Sequence, residues 1–92
     1  MHIKDFYIKL KNTLDETTRF PTNYLFKFIV PTTGQNSKEI EAIFNHTGAV
    51  IETKLSKNGN YTAYSITVDM QNSDEIISKY KEAAKIKGIF SI

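Results

Sequence analysis

Three sets of residues in this chain have the types to do chemistry: the histidines His2 and His46, the carboxylates Glu39, Glu41, Asp74 and Glu75, and the loop PTTGQNS from Pro31 to Ser37. Neither histidine has a second ligand at helical or hairpin spacing, so no metal site is expected. With no cysteine in the chain, disulfides, thiolate catalysis and cysteine-based zinc sites are excluded. His46, two residues before Gly48, reads as a C-terminal helix residue interacting with free carbonyls. The four carboxylates fall at two helix starts, where they suit the positive end of the helix dipole without any catalytic duty. No serine or threonine sits in an elbow-type motif. The expectation is a protein that is not an enzyme and carries no cofactor.

The loop is a separate case. A strand running into a helix N-terminus can hold an anion, which makes Gly34, Gln35, Asn36 and Ser37 a candidate site for an anionic or amino-acid-like effector. It has one glycine and no lysine in the phosphate-loop position, so an ordinary connection is the simpler reading.

The elements that must position these residues begin with a repeated phrase. QNSKEI (Gln35 to Ile40) and QNSDEI (Gln71 to Ile76) differ at one letter. In each, Asn followed three residues later by Glu predicts a reciprocal helix cap. Apolar residues then recur at helical spacing: Ile40, Ile43 and Phe44 after the first, Ile76, Ile77, Tyr80, Ala83 and Ala84 after the second.

Strands flank both helices: Asn23 to Val30, Ala49 to Ser56, Asn60 to Met70 and Gly88 to Ile92. Lys57-Asn58-Gly59 joins the middle pair, with Asn-Gly as the hairpin signal because both residues tolerate positive φ. The order strand-helix-strand, hairpin, strand-helix-strand predicts an α+β, ferredoxin-like βαββαβ fold. Both helices then cover one face of a four-stranded antiparallel sheet. Residues 1–19 form an amphipathic lead-in, with Ile3, Phe6, Tyr7, Leu10 and Leu14 on one stripe. Residues 20–92 form the main domain. The lead-in helix is expected to pack on its own domain or on a second copy, and the sheet's open face is one place it could lie.

Alternation assigns the two faces. Phe26, Phe28 and Val30, with Tyr64, Ile66, Val68 and Met70, face the helices. Leu25, Lys27 and Ile29, with Tyr61, Ala63, Ser65, Thr67 and Asp69, face away, and Glu52 and Lys54 join them. Small polar groups on a central strand let another surface approach closely, so Lys27, Ile29, Tyr61, Ser65 and Thr67 are the candidate partner-binding residues. The competing reading is a merely solvated sheet. Nucleic acid is not an expected partner: Tyr61 is the sole aromatic placed to stack a base. The twelve basic and ten acidic residues are scattered rather than gathered in a stripe. No apolar run approaches the roughly 18 residues of a membrane span. MHIKDFYIKL interrupts its apolar residues with charges, so a cytoplasmic address is expected.

FPTNYLFKFIV, SKNGNYTAYSITV and YKEAAKIKGIFSI together resemble the small bacterial YbeD-like family of unknown function, labelled a proposed lipoate regulatory protein. The resemblance runs from about Phe20 to Ile92. It implies a ferredoxin-like fold similar to the ACT regulatory domains, which bind small effectors, here near Gly34, or pair through their sheets into a homodimer; the open face adds an unidentified protein partner as the expected occupant.

Overall fold

The structure is a computed structural model that describes residues 3–91; His2, Ile92 and the Ile3 side chain lie outside the described set. Its elements run α1 (Ile3–Thr17), β1 (Thr22–Pro31), α2 (Asn36–Ile43), β2 (Val50–Leu55), β3 (Tyr61–Met70), α3 (Ser73–Ala83) and β4 (Phe90–Ser91). The sheet has the order β2-β3-β1-β4, and every pairing is antiparallel. This is the expected α+β, ferredoxin-like arrangement, with one helix added at the N-terminus. The two long central strands pair from Thr22 opposite Met70 to Pro31 opposite Tyr61.

Period-two alternation builds the core. Phe26, Phe28, Val30, Tyr64, Ile66, Val68 and Met70 are all buried, and Ile40, Phe44, Ile76, Ile77 and Ala83 close over them from the helical side. The aromatic members interlock: the Phe26 ring lies 4.7 Å from Tyr24, 5.1 Å from Phe44 and 5.1 Å from Tyr80, mostly edge to face. Such geometry sets the positive ring edge against the negative ring face. Lys79 Nζ donates to the Ile43 carbonyl at 2.7 Å, tying the end of α2 to α3.

The doubled phrase starts two helices by different means. At α3 the expected cap forms on the Asn72 side, while its return bond goes to the residue before the N-cap. Asn72 Oδ1 accepts from the Glu75 backbone N–H at 2.9 Å, and Glu75 Oε1 accepts from the Gln71 N–H at 2.7 Å. At α2 it is absent, which corrects the expectation for Asn36. Gln35 occupies the cap position without a side-chain hydrogen bond. Asn36 instead turns its amide back to donate to the Pro31 and Thr33 carbonyls. The preceding chain, bent at Gly34 with φ of +91°, brings those carbonyls within reach, and closing the loop takes the side chain the cap required. Asn72→Ala is therefore expected to cost about 1 kcal/mol, read as a lower urea midpoint; an unchanged midpoint would show the cap to be idle.

Other local expectations also change. His46 does not interact with the last carbonyls of α2. It stands in a left-handed turn with φ of +61°, and the Phe44 carbonyl is taken by the backbone N–H and hydroxyl of Thr47. In the hairpin only Gly59 has positive φ. Asn58 serves through its side chain, accepting from the Asn60 N–H and the Ser56 hydroxyl. The fourth strand is shorter than expected, because a turn at Gly88 delays pairing until Phe90.

The lead-in helix does not cover the open sheet face. α1 packs beside α3 on the helical side, and Leu14 enters the core cluster. The reason lies at Ser73, which is buried. Its hydroxyl donates to Asp15 at 2.6 Å and accepts from Lys11 at 3.1 Å, while Lys11 also bridges Asp74 at 3.1 Å. The Ser73 hydrogen bond holds the Asp15 carboxyl below its ordinary range, and the Asp74 hydrogen bond raises the Lys11 ammonium. Together the four side chains clasp α1 to the start of α3.

Candidate functional site

With α1 on the other side, one face of the sheet is bare. Its residues fall into rows that run across the strands. The first is Val50, Thr67 and Leu25; the second is Glu52, Ser65 and Lys27; the third is Lys54, Ala63, Ile29 and Phe90. Beyond the third row Tyr61 stands opposite Pro31, and beyond the first Asn23 donates to Asp69. Alternation in β1 and β3 forces this, since every residue whose neighbours enter the core must itself point outward.

The face is raised at its margins and low in the middle. Val50 is 61% exposed, Leu25 49%, Tyr61 44% and Phe90 61%. Between them Ala63, Ser65, Thr67 and Ile29 are half-buried. Ile29, Lys54, Leu55, Lys57, Tyr61 and Ala63 line an open groove of about 600 Å³ at one end. Such a surface can receive a complementary one closely along β3, where side chains are small.

The middle row carries one charge of each sign, with Lys54 in the third row and Asp69 beyond the first as the other charges of this face. Lys27 and Glu52 flank Ser65, each one strand away from it. Two strand spacings put their backbones about 10 Å apart. Among the described residues neither forms a salt bridge within the chain.

Of the sequence-derived candidates, Lys27, Ile29, Ser65 and Thr67 lie on this face as neighbours, and Tyr61 stands at its end. Val50 and Phe90 belong to it as well. Strand alternation alone did not bring them in, because Val50 starts an edge strand and Phe90 belongs to a two-residue strand. Each joins the face only once its register is known.

The loop candidates are arranged differently. Asn36 is held by its bonds to Pro31 and Thr33, and Ser37 Oγ lies 2.5 Å from the Tyr64 hydroxyl. Of the three side chains in the set, those of Asn36 and Ser37 thus have partners within the fold, while Gln35 is exposed and makes no side-chain cap bond.

A second recess was not legible in the sequence. Phe6, Tyr7 and Leu10 of α1, with Tyr80, Ala83 and the buried Phe28, line an apolar cleft of about 400 Å³. The hydrophobic stripe of α1 signalled burial, but not against which surface. Tyr80 reaches past this cleft to the Tyr24 hydroxyl, 2.9 Å away, and burial pushes its phenol pKa strongly upward. A neutral, hydrogen-bonded phenol follows, which suits packing rather than proton transfer. Among the described residues no group of three or more metal-ligating side chains gathers, and no helix is long and apolar enough to cross a membrane.

Comparison with known proteins bears on fold and family. The family model described as "Protein of unknown function (DUF493)" matches residues 15–91. The solution structure of protein HP0495 from H. pylori is similar, with a TM-score of 0.65 at 16% identity over 83% of this chain and 86% of that one. The crystal structure of the ACT domain from GTP pyrophosphokinase of Chlorobium tepidum is similar with a TM-score of 0.55 at 14% identity, over 75% of this chain and 94% of that one. At such identities the likeness is one of fold. No curated protein sequence matches the chain significantly.

Proposed function

The chain belongs to the DUF493 family, proteins of unknown function, and from that premise we propose that it works as a non-enzymatic regulatory or protein-interaction module through its open sheet face. One observation carries the reading: a bare face whose low centre, along Ala63, Ser65 and Thr67, is ringed by exposed Val50, Leu25, Tyr61 and Phe90. Exposed aromatic and aliphatic side chains gathered on one face are the kind of residue that interfaces bury, and the small side chains between them let a partner approach closely. Lys27 adds a cationic contact. The ACT-like fold is consistent with a regulatory setting, as fold-level analogy only.

A small-molecule effector at Gly34 to Ser37, to which the lipoate-related role would belong, has less support, since Asn36 and Ser37 use their side chains within the fold.

The test is paired affinity capture from a native lysate, with the unaltered chain and with Tyr61→Ala combined with Lys27→Glu as bait. Both positions are exposed, so the two changes together should move the thermal transition by no more than about 4–8 °C. Proteins captured by the unaltered chain should be lost from the variant. A captured set indifferent to both changes overturns the proposal.

A further inference from the structure

We infer that the occupant of the open sheet face is a second copy of this chain, stacked face to face about a two-fold axis that runs along β3. This rests on the interaction reading above and names the partner for it.

The argument is one of symmetry and charge. β3 has β2 on one side and β1 on the other. A two-fold axis lying in the interface along β3 sets the β1 of one copy over the β2 of the other. The middle row, Glu52, Ser65 and Lys27, then stacks so that each Lys27 meets the second copy's Glu52 and the two Ser65 residues meet at the axis. Two ion pairs form between copies, from charges that have no salt-bridge partner among the described residues of one copy. The first row obeys the same operation, with Leu25 meeting the second copy's Val50, both exposed and aliphatic. In the third row Ile29 meets the stem of the second copy's Lys54, and Phe90 flanks it.

The alternative axis in the same plane, running across the strands through this row, sets Lys27 on Lys27 and Glu52 on Glu52. Like charges juxtaposed in an interface oppose association. Of these two axes, the one along the strands makes the face complementary to itself, as an isologous contact requires.

Geometry permits the stack. Sheets pack about 10 Å apart, a distance that extended lysine and glutamate side chains span jointly. Aligned sheets cross at about 30°, which tilts the axis about 15° from β3. With the axis on β3, the ten residues of that strand across the three strands that overlap give at most about 500 Å² per copy, below the size of stable interfaces. A reversible, concentration-dependent dimer is therefore expected.

Charge reversal tests it on the full chain by sedimentation equilibrium from about 1 µM to about 1 mM, a span that brackets weak to moderate affinity. The unaltered chain should pass from monomer to dimer. Lys27→Glu alone and Glu52→Lys alone should each weaken the dimer by more than about tenfold, because each creates two like-charge contacts. Two arrangements should restore it to within about threefold of the unaltered chain: the double reversal, and an equimolar mixture of the two single variants, in which every contact is again opposite in sign. Should a reversal disturb folding by circular dichroism, the unaltered dimer serves instead, weakening as NaCl rises from about 50 mM to about 500 mM.

A chain that stays monomeric to about 1 mM, single reversals without effect, or a double reversal weaker than either single overturns the pairing. If the chain is monomeric and the Tyr61 and Lys27 changes still abolish capture of another protein, the pairing falls and the interaction reading stands. If capture is also indifferent to them, both fall.

Discussion

Replacing Phe26 by alanine should remove about 4 kcal/mol of stability, within the range for deleting a buried aromatic ring. No other side chain meets so many rings: Tyr24, Phe28, Phe44 and Tyr80 all lie within about 6 Å of it, and it is 0% exposed. Its strand is paired to β3 along its whole length, so the backbone cannot settle into the hole. A domain of this length is stable by only about 5–14 kcal/mol, so the variant loses a large part of what it has. The urea midpoint should fall steeply with little change in the denaturant slope. A loss below about 1.5 kcal/mol would mean that the cluster repacks, and that the interlocking described here is not what holds the sheet to its helices.

The second large effect is local. Leu14 is the one residue of α1 that is buried among those described, 7% exposed. The Lys11, Asp15 and Asp74 pairs beside it are solvent-exposed, and water screening leaves pairs of that kind a small share in stability. Leu14→Asp both opens a cavity and places a carboxylate in it, which should cost α1 about 3 kcal/mol of docking. Amides of the first helix should then exchange about a hundredfold faster, while those of β1, β3 and α3 keep their protection. That outcome makes α1 an attachment to a body that stands without it. Equal loss of protection at Ile66 and Ile76 would show instead that α1 is part of the cooperative core.

What could be read from the sequence was whatever alternation and helical spacing dictate. Ile66 and Val68 reveal their face because a strand has only two, and Asn72 reveals its helix because nothing competes for its side chain. Asn36, in the same phrase, has two carbonyls within reach and goes to them. His46 looked like a partner for helix carbonyls, but Thr47 reaches the Phe44 carbonyl with less adjustment. The stripe on α1 indicated burial and left the surface open; Ser73, a residue read only as a helix start, settles that α1 lies on α3. The candidate site shows the same division. Lys27, Ser65 and Thr67 were placed by strand parity. Phe90 and the Glu52–Ser65–Lys27 row needed registers across three and four strands, which alternation in one strand does not supply.

The position of α1 has a practical outcome at the bench. A fluorophore or tether on the exposed Lys9 of α1 sits behind the molecule, so chains fixed to a chip there display their bare side to the solution and should report association faithfully. A label at the exposed Phe90 would crowd the surface being assayed. Choice of attachment point is thus part of the measurement.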